Sequence, residues 1–257
     1  MGNSASIRRR WWKHLPVRLS VRAMMALVLI VGGGLGWTMH RARLQREAVH
    51  AIMREHGYVR YNWEGLNFLA KPTPPGDSLG IRWVLGPHYF DTPICVSLFQ
   101  KAADDRMMAH IGRLRGLRVL SLSVEGPTPP SAEGMAEIRR LSHLEQFNVG
   151  KGGDAKGFLP HLGALSKLRS LGWYSSAATE ADLGIIANLD RLSNLTIDGA
   201  ALTEGGLMRL TELQALERLS IEGPTPGVDW EARGRFIKAM PNLREFMLDG
   251  RTIISDR

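Results

Sequence analysis

From residue 94 onward the hydrophobic positions of the chain recur in one fixed pattern. Seven segments alternate apolar and polar positions as half-buried strands do: ICVSLF (94–99), LRVLSLSV (117–124), LEQFNVGK (144–151), LRSLGWYS (168–175), LSNLTIDG (192–199), LERLSIEG (216–223) and LREFMLDG (243–250). Their matching anchors are Val96, Leu120, Phe147, Leu171, Leu195, Leu219 and Phe246, separated by 24, 27, 24, 24, 24 and 27 residues. The two longer units place their extra residues in the turns EGPTPP and EGPTPG, where insertions leave stacking intact. Ahead of each strand, apolar residues fall every third position, as in Met108, Ile111, Leu114, Leu117 and in Leu183, Ile186, Leu189, Leu192. That spacing predicts one buried helical stripe per unit, with Ser131, Thr179 and Thr203 placed as N-caps ahead of first-turn acids. A single strand, turn and helix cannot bury its own apolar side, whereas stacked units can. The expected fold is therefore α/β, a curved solenoid with a parallel sheet inside and helices outside.

The first sixty residues follow another rule. AMMALVLIVGGGLGWTM (23–39) carries no charge over 17 residues, close to the minimum for a membrane-spanning helix. Trp11 and Trp12 precede it, Trp37 closes it, and Arg8, Arg9, Arg10, Lys13, Arg18 and Arg22 form the heavier basic flank. Aromatic belts and positive flanks place such an N-terminus in the cytoplasm and the remainder of the chain across the membrane. The expected division is a basic cytoplasmic segment (1–22), a single-pass anchor (23–40), a stalk helix with an N-terminal cap (41–92) and the repeat domain (93–257). The competing reading is a cleaved secretory signal and a secreted product, since a basic start and an apolar middle also describe one. Glycines 32–34 and 36 lie inside the apolar run without a following Lys-Ser/Thr, so they suit helix packing and not phosphate binding. In the stalk, Leu44, Ala48, Ile52 and Met53 fall near one helical face, Gly57 is placed as C-cap, YVRYNW (58–63) reads as a strand and KPTPPGDSLG (71–80) as a loop. The aromatic residues Trp83, Tyr89 and Phe90 follow that loop.

Charge narrows the partners. The formal net charge is +8, yet residues 1–60 hold 11 Lys/Arg against Glu47 and Glu55, while residues 61–257 hold 22 against 23 acids. The folded part is nearly neutral, and a nucleic-acid-binding domain carries its basic face on the folded part. The lone Cys95 excludes an intramolecular disulfide framework and reads as a buried strand residue. No H-E-x-x-H occurs among the eight histidines, GKGGDAKG (150–157) lacks a phosphate-loop ending and falls at a repeat turn, and G-x-S-x-G is absent. Asp104 and Asp105 match the acidic helix starts of the neighbouring units. These observations predict neither catalysis, nor a cofactor, nor a metal site.

The L-x-x-L-x-[LIV] strands and the T-E-x-x-L-x-x-[IL]-x-x-L helix starts resemble a leucine-rich repeat of the helix-containing, ribonuclease-inhibitor-like type, over about residues 93–257. With its basic, Trp-flanked anchor the whole chain resembles membrane-anchored bacterial leucine-rich-repeat proteins. One position departs from that pattern. Where asparagine is frequent, this chain has Lys101, Glu125, Gly152, Ser176, Ala200, Pro224 and Arg251, so its turns must satisfy their backbone groups differently. Residues between the anchors point to the open sheet face. One row reads Ser97, Ser121, Asn148, Gly172, Thr196, Ser220, Met247; the next reads Phe99, Ser123, Gly150, Tyr174, Asp198, Glu222, Asp249; a third reads Gln146, Ser170, Asn194, Arg218, Glu245. The candidate partner-binding set is Asn148, Tyr174, Thr196, Asp198, Arg218, Ser220, Glu222 and Asp249. Small residues allow close approach, Tyr174 is a typical interface anchor, and the acids favour a protein with a basic surface. Turn chemistry alone also selects an acid before glycine at 198, 222 and 249. The expectation is a non-catalytic protein-interaction module displayed outside the cytoplasmic membrane. The alternative is a structural cell-envelope scaffold assembling through its anchor and solenoid ends. Only RTIISDR follows the last repeat, which predicts a poorly capped end and self-association through it.

Overall fold

The computed structural model describes residues 21–64, 91–124, 129–150, 155–174, 179–200 and 202–255, without the side chains of residues 99–102 and 254–255. Residues 1–20 of the basic segment with Trp11 and Trp12, the loop 71–80, the residues Trp83, Tyr89 and Phe90, and turn positions 125–128, 151–154 and 175–178 lie outside the described residues. The chain divides into two compact units, residues 1–41 and 42–257. Helix α1 (Val21–Arg54) supplies residues to both.

In the first unit, α1 is long and apolar enough to cross a membrane by length and composition. Its apolar side chains are exposed, Leu29 at 74% and Ile30 at 72%. In a soluble domain such a surface is unfavourable, at roughly 25 cal/mol per Å² of apolar area left in water. The Arg41 guanidinium lies 4.6 Å from the centroid of the Trp37 ring, a cation–π contact.

The second unit is built on one open, mostly parallel sheet of nine strands in sequence order. The strands are β1 (Tyr58–Tyr61), β2 (Pro93–Ala102), β3 (Val119–Ser123), β4 (Gln146–Val149), β5 (Ser170–Trp173), β6 (Asn194–Asp198), β7 (Arg218–Glu222), β8 (Glu245–Leu248) and β9 (Arg251–Ser255). Strands β2 to β8 are parallel, and β1 and β9 run antiparallel at the edges. The anchors fall in register one for one: Val96 beside Leu120, Leu120 beside Phe147, and so on to Leu219 beside Phe246. All seven are at most 1% exposed. Short helices return the chain between strands: α2 (Asp105–Ile111), α3 (Ala132–Ala136), α4 (Leu159–Leu162), α5 (Glu180–Ala187), α6 (Glu204–Arg209) and α7 (Trp230–Ala239). The core lies between these helices and the sheet, where Phe147 and Phe158 meet edge to face at 5.4 Å and Trp173 is fully buried.

The helix starts follow the capping expectation. Ser131, Thr179 and Thr203 each accept a backbone N–H two to three residues into α3, α5 and α6, and Thr179 with Asp182 forms a reciprocal capping box. Asp104 and Asp229 do the same for α2 and α7. At the strand ends, where no asparagine ladder exists, N–H groups bond to the adjacent strand. Gly150 donates to the Leu122 carbonyl at 2.7 Å, Tyr174 to Val149 at 3.2 Å and Asp249 to Ile221 at 2.8 Å.

Three expectations are corrected. On α1 the residues buried are Ala42, Ala48, Val49 and Ile52, while Met53 is 50% exposed, because the helix packs one face and Val49 lies on it. The left-handed residue closing α1 is His56 (φ 59°) and not Gly57. His56 N–H donates to the Met53 carbonyl and Gly57 N–H to the Ile52 carbonyl, the paired bonds of a Schellman closure. Gly57 is required for a different reason: a Cβ there would lie 2.6 Å from both Ile52 and Leu98 side chains. His56→Gly is accordingly expected to raise stability by about 1 kcal/mol, the usual excess energy of a left-handed non-glycine residue, as a higher denaturant midpoint. Finally, the last repeat is not left bare. RTIISDR contributes β9, which pairs antiparallel with β8. Asp249 (φ 48°) and Gly250 (φ 73°) form the two-residue loop between them, with both φ positive as a type I′ hairpin requires.

Candidate functional site

Strand alternation sends Val96, Leu98 and their equivalents into the core, leaving the intervening positions on the opposite, open face. That face is not uniform. At its N-terminal end it is closed: Cys95 is 0% exposed, Ser121 4% and Val119 8%. Burial pushes the Cys95 thiol above its ordinary value and keeps it protonated. From β4 onward Asn148, Thr196, Ser220 and Met247 are half-buried and reachable.

Over β5 to β8 the open face forms a shallow depression of about 290 Å³ lined by Ser170, Asn194, Thr196, Arg218, Ser220, Glu245 and Met247, with Leu195 and Leu219 between them. Three candidate residues, Thr196, Arg218 and Ser220, meet here. Ser170, Asn194, Glu245 and Met247 join them, and the signal that identifies them is the strand register, which sets Ser170 beside Asn194, Asn194 beside Arg218 and Arg218 beside Glu245. Arg218 is not a free cation, because its Nε lies 3.3 Å from the Glu245 carboxylate. Rotating the Asn194 amide by half a turn lets its oxygen accept from Arg218 Nη1 at 3.2 Å as well. The floor of the depression is thus neutral and rich in hydroxyl and amide groups, and its charges are paired.

The remaining candidates stand apart from it. Asn148 donates to the Ser121 hydroxyl at 3.1 Å. Gly172 gives no access to a partner, because the chain's own side chains occupy the space above it: a Cβ there would meet the Asn148 oxygen at 2.5 Å and the Tyr174 ring at 3.0 Å. Tyr174 follows β5 and is half-buried. Asp198 and Glu222 are register partners at the C-terminal ends of β6 and β7, so two acidic residues are neighbours at one edge of the sheet. Asp198 also accepts the Ala200 N–H at 2.9 Å. The acid–glycine pair serves three different backbones. Gly199 is pressed against Thr225, Ile221 and Pro224, Gly223 has φ 75°, and Asp249–Gly250 is the hairpin turn described above. Turn geometry therefore acts after all three acids, and those at 198 and 222 are also neighbours at one edge of the sheet.

Among the described residues no group of three or more His, Cys, Asp or Glu is arranged to hold a metal. Burial lowers His110 and His161, with nearby arginines adding to the effect. The Arg118 guanidinium donates to both Glu145 oxygens at 2.9 and 2.8 Å and holds that carboxyl below its ordinary value. A carboxyl lowered by folding stabilises fully above its unfolded pKa and loses that contribution as pH falls through the folded one. The pair is half-exposed, so the effect is small. The gap in urea midpoint between wild type and Glu145→Gln is expected to close on acidification through the carboxylate range.

No family model matches the chain, and no curated protein matches it. Among solved structures, an internalin from Listeria monocytogenes aligns over 66% of this chain and 54% of its own, at 16% identity and a TM-score of 0.34. The chain thus spans about half the length of that protein, and an overlap of this extent does not by itself define a shared fold.

Proposed function

We propose that the chain is a leucine-rich-repeat module anchored in the cytoplasmic membrane by residues 23–40, with its repeat domain on the far side, and that it binds a protein partner on the open sheet face without catalysis. The observation that carries this reading is the register. Parallel strands β4 to β8 hold the half-buried Asn148, Thr196, Ser220 and Met247 on one surface that is ordered before any partner arrives, so little conformational entropy is lost by the receptor on binding. The neutral depression over β5–β8 offers hydroxyl and amide groups for hydrogen bonds. The Asp198/Glu222 edge favours a basic group on the partner and speeds its approach.

The test is capture from envelope extracts by the full-length chain, beside Ser220→Trp, which fills the depression without touching the core, and Asp198→Lys with Glu222→Lys. The proposal expects one protein held by wild type and lost with both variants. A captured set unchanged by either variant contradicts the open-face site and favours the envelope scaffold, in which the anchor and the sheet edges carry the assembly.

A further inference from the structure

A second concavity lies within the repeat unit, on the opposite side of β2 from the open face. It has a volume of about 440 Å³, with one wall from the end of α1 (Arg46, Glu47, His50, Arg54, Glu55) and the other from the start of α2 (Asp104, Arg106, His110), above Leu98 and Met107. On α1, Arg46, His50 and Arg54 recur every fourth position and so share one helical stripe. The geometry points to a binding site for a phosphate-bearing ligand in this cleft, gripped by Arg46 and Arg54 from α1 and Arg106 from α2, with His110 as a hydrogen-bonding partner.

Three acids line the cleft beside these arginines, Glu47, Glu55 and Asp104, and the first and last are engaged elsewhere. Asp104 caps α2 by accepting the Met107 N–H at 2.7 Å, and Glu47 is 4.0 Å from Arg113. Among the described residues, by contrast, Arg46, Arg54 and Arg106 have no ion-pair partner. Three arginines lining one concavity suit the oxygens of a phosphate, which accepts paired N–H donors from planar guanidinium groups. His110 supplies an independent sign. Among the described residues its Nδ1 is buried without a hydrogen-bond partner, an arrangement with an energetic penalty. Burial lowers His110, and around that imidazole Arg113 and Arg106 outweigh Glu47 and Asp104, so a positive local field adds to the same direction. An anion between the walls reverses that field. The same chemistry belongs to a soluble phosphate and to a phospholipid headgroup.

The test uses the full-length chain in nanodiscs of zwitterionic lipid and in nanodiscs containing phosphatidic acid. The His110 imidazole resonance, assigned by His110→Gln, is followed against pH with and without inorganic phosphate at constant ionic strength. The expected result is an upward shift of the His110 titration on adding phosphate, and an affinity for phosphate that Arg54→Gln with Arg106→Gln weakens about ten-fold or more, the usual loss for charged hydrogen bonds. Lys167→Gln with Lys238→Gln, neither of which lines the cleft, removes the same two positive charges and should leave both readouts as in wild type. A shift already present in phosphatidic-acid discs, and no larger with added phosphate, identifies the headgroup as the source. A titration that moves in neither disc, or that moves equally in the double variant, overturns the site.

Discussion

Phe147→Ala is expected to lower the stability of the repeat unit by about 3–5 kcal/mol, the range for emptying a buried aromatic position. Phe147 is the anchor of β4, fully buried, with Leu120 and Leu171 as its register neighbours and the Phe158 ring against its edge. Two consequences follow from the stacked construction. Each unit contacts mainly its neighbours, so hydrogen exchange should accelerate first in β3 to β5 and less at β8. The loss is also a large part of the ~5–15 kcal/mol typical of a whole domain. Urea unfolding of the full-length chain in micelles measures it, and a change below about 1 kcal/mol would show that the anchors are not packed as described.

Arg60→Met should be nearly as damaging, for an electrostatic reason. The Arg60 side chain is 3% exposed on β1, and its Nε lies 3.3 Å from Glu64, itself only 15% exposed. Removing one partner of a buried pair strands the other charge, at a cost of about 3–5 kcal/mol. The comparison is Arg209→Ala, whose partners Glu180 and Glu212 are half-exposed, where a change of at most ~1 kcal/mol is expected. Equal effects of the two substitutions in the same unfolding assay would mean that the Arg60 pair is hydrated.

The repeat register and the helix caps were legible because both are local and periodic: the spacing of Val96 to Phe246 already specifies which residues stand side by side. The two ends were not. RTIISDR reads as too short for another helix, yet a hairpin strand needs only the Asp249–Gly250 turn and an unpaired β8 edge to lie against. Likewise His56 takes the left-handed position at the end of α1 because Gly57 is needed one residue later, where Leu98 from a distant strand presses on its backbone. For the candidate site, alternation identified the open face. It did not show that Cys95 and Ser121 are covered there, that Tyr174 and Asn148 fill the space over Gly172, or that Arg218 is tied to Glu245. Those are side-chain contacts between units, which no periodicity within one unit encodes.

The central claim is that the open sheet face is the recognition surface. Its most direct test is photo-crosslinking in intact cells, with a photoreactive residue placed in the full-length chain at position 196 or 220 on that face, and at position 238 on the helical side. The account predicts the same discrete protein adduct from 196 and 220 and none from 238. Adducts from 238 alone, or no protein adduct from either open-face position, would contradict it.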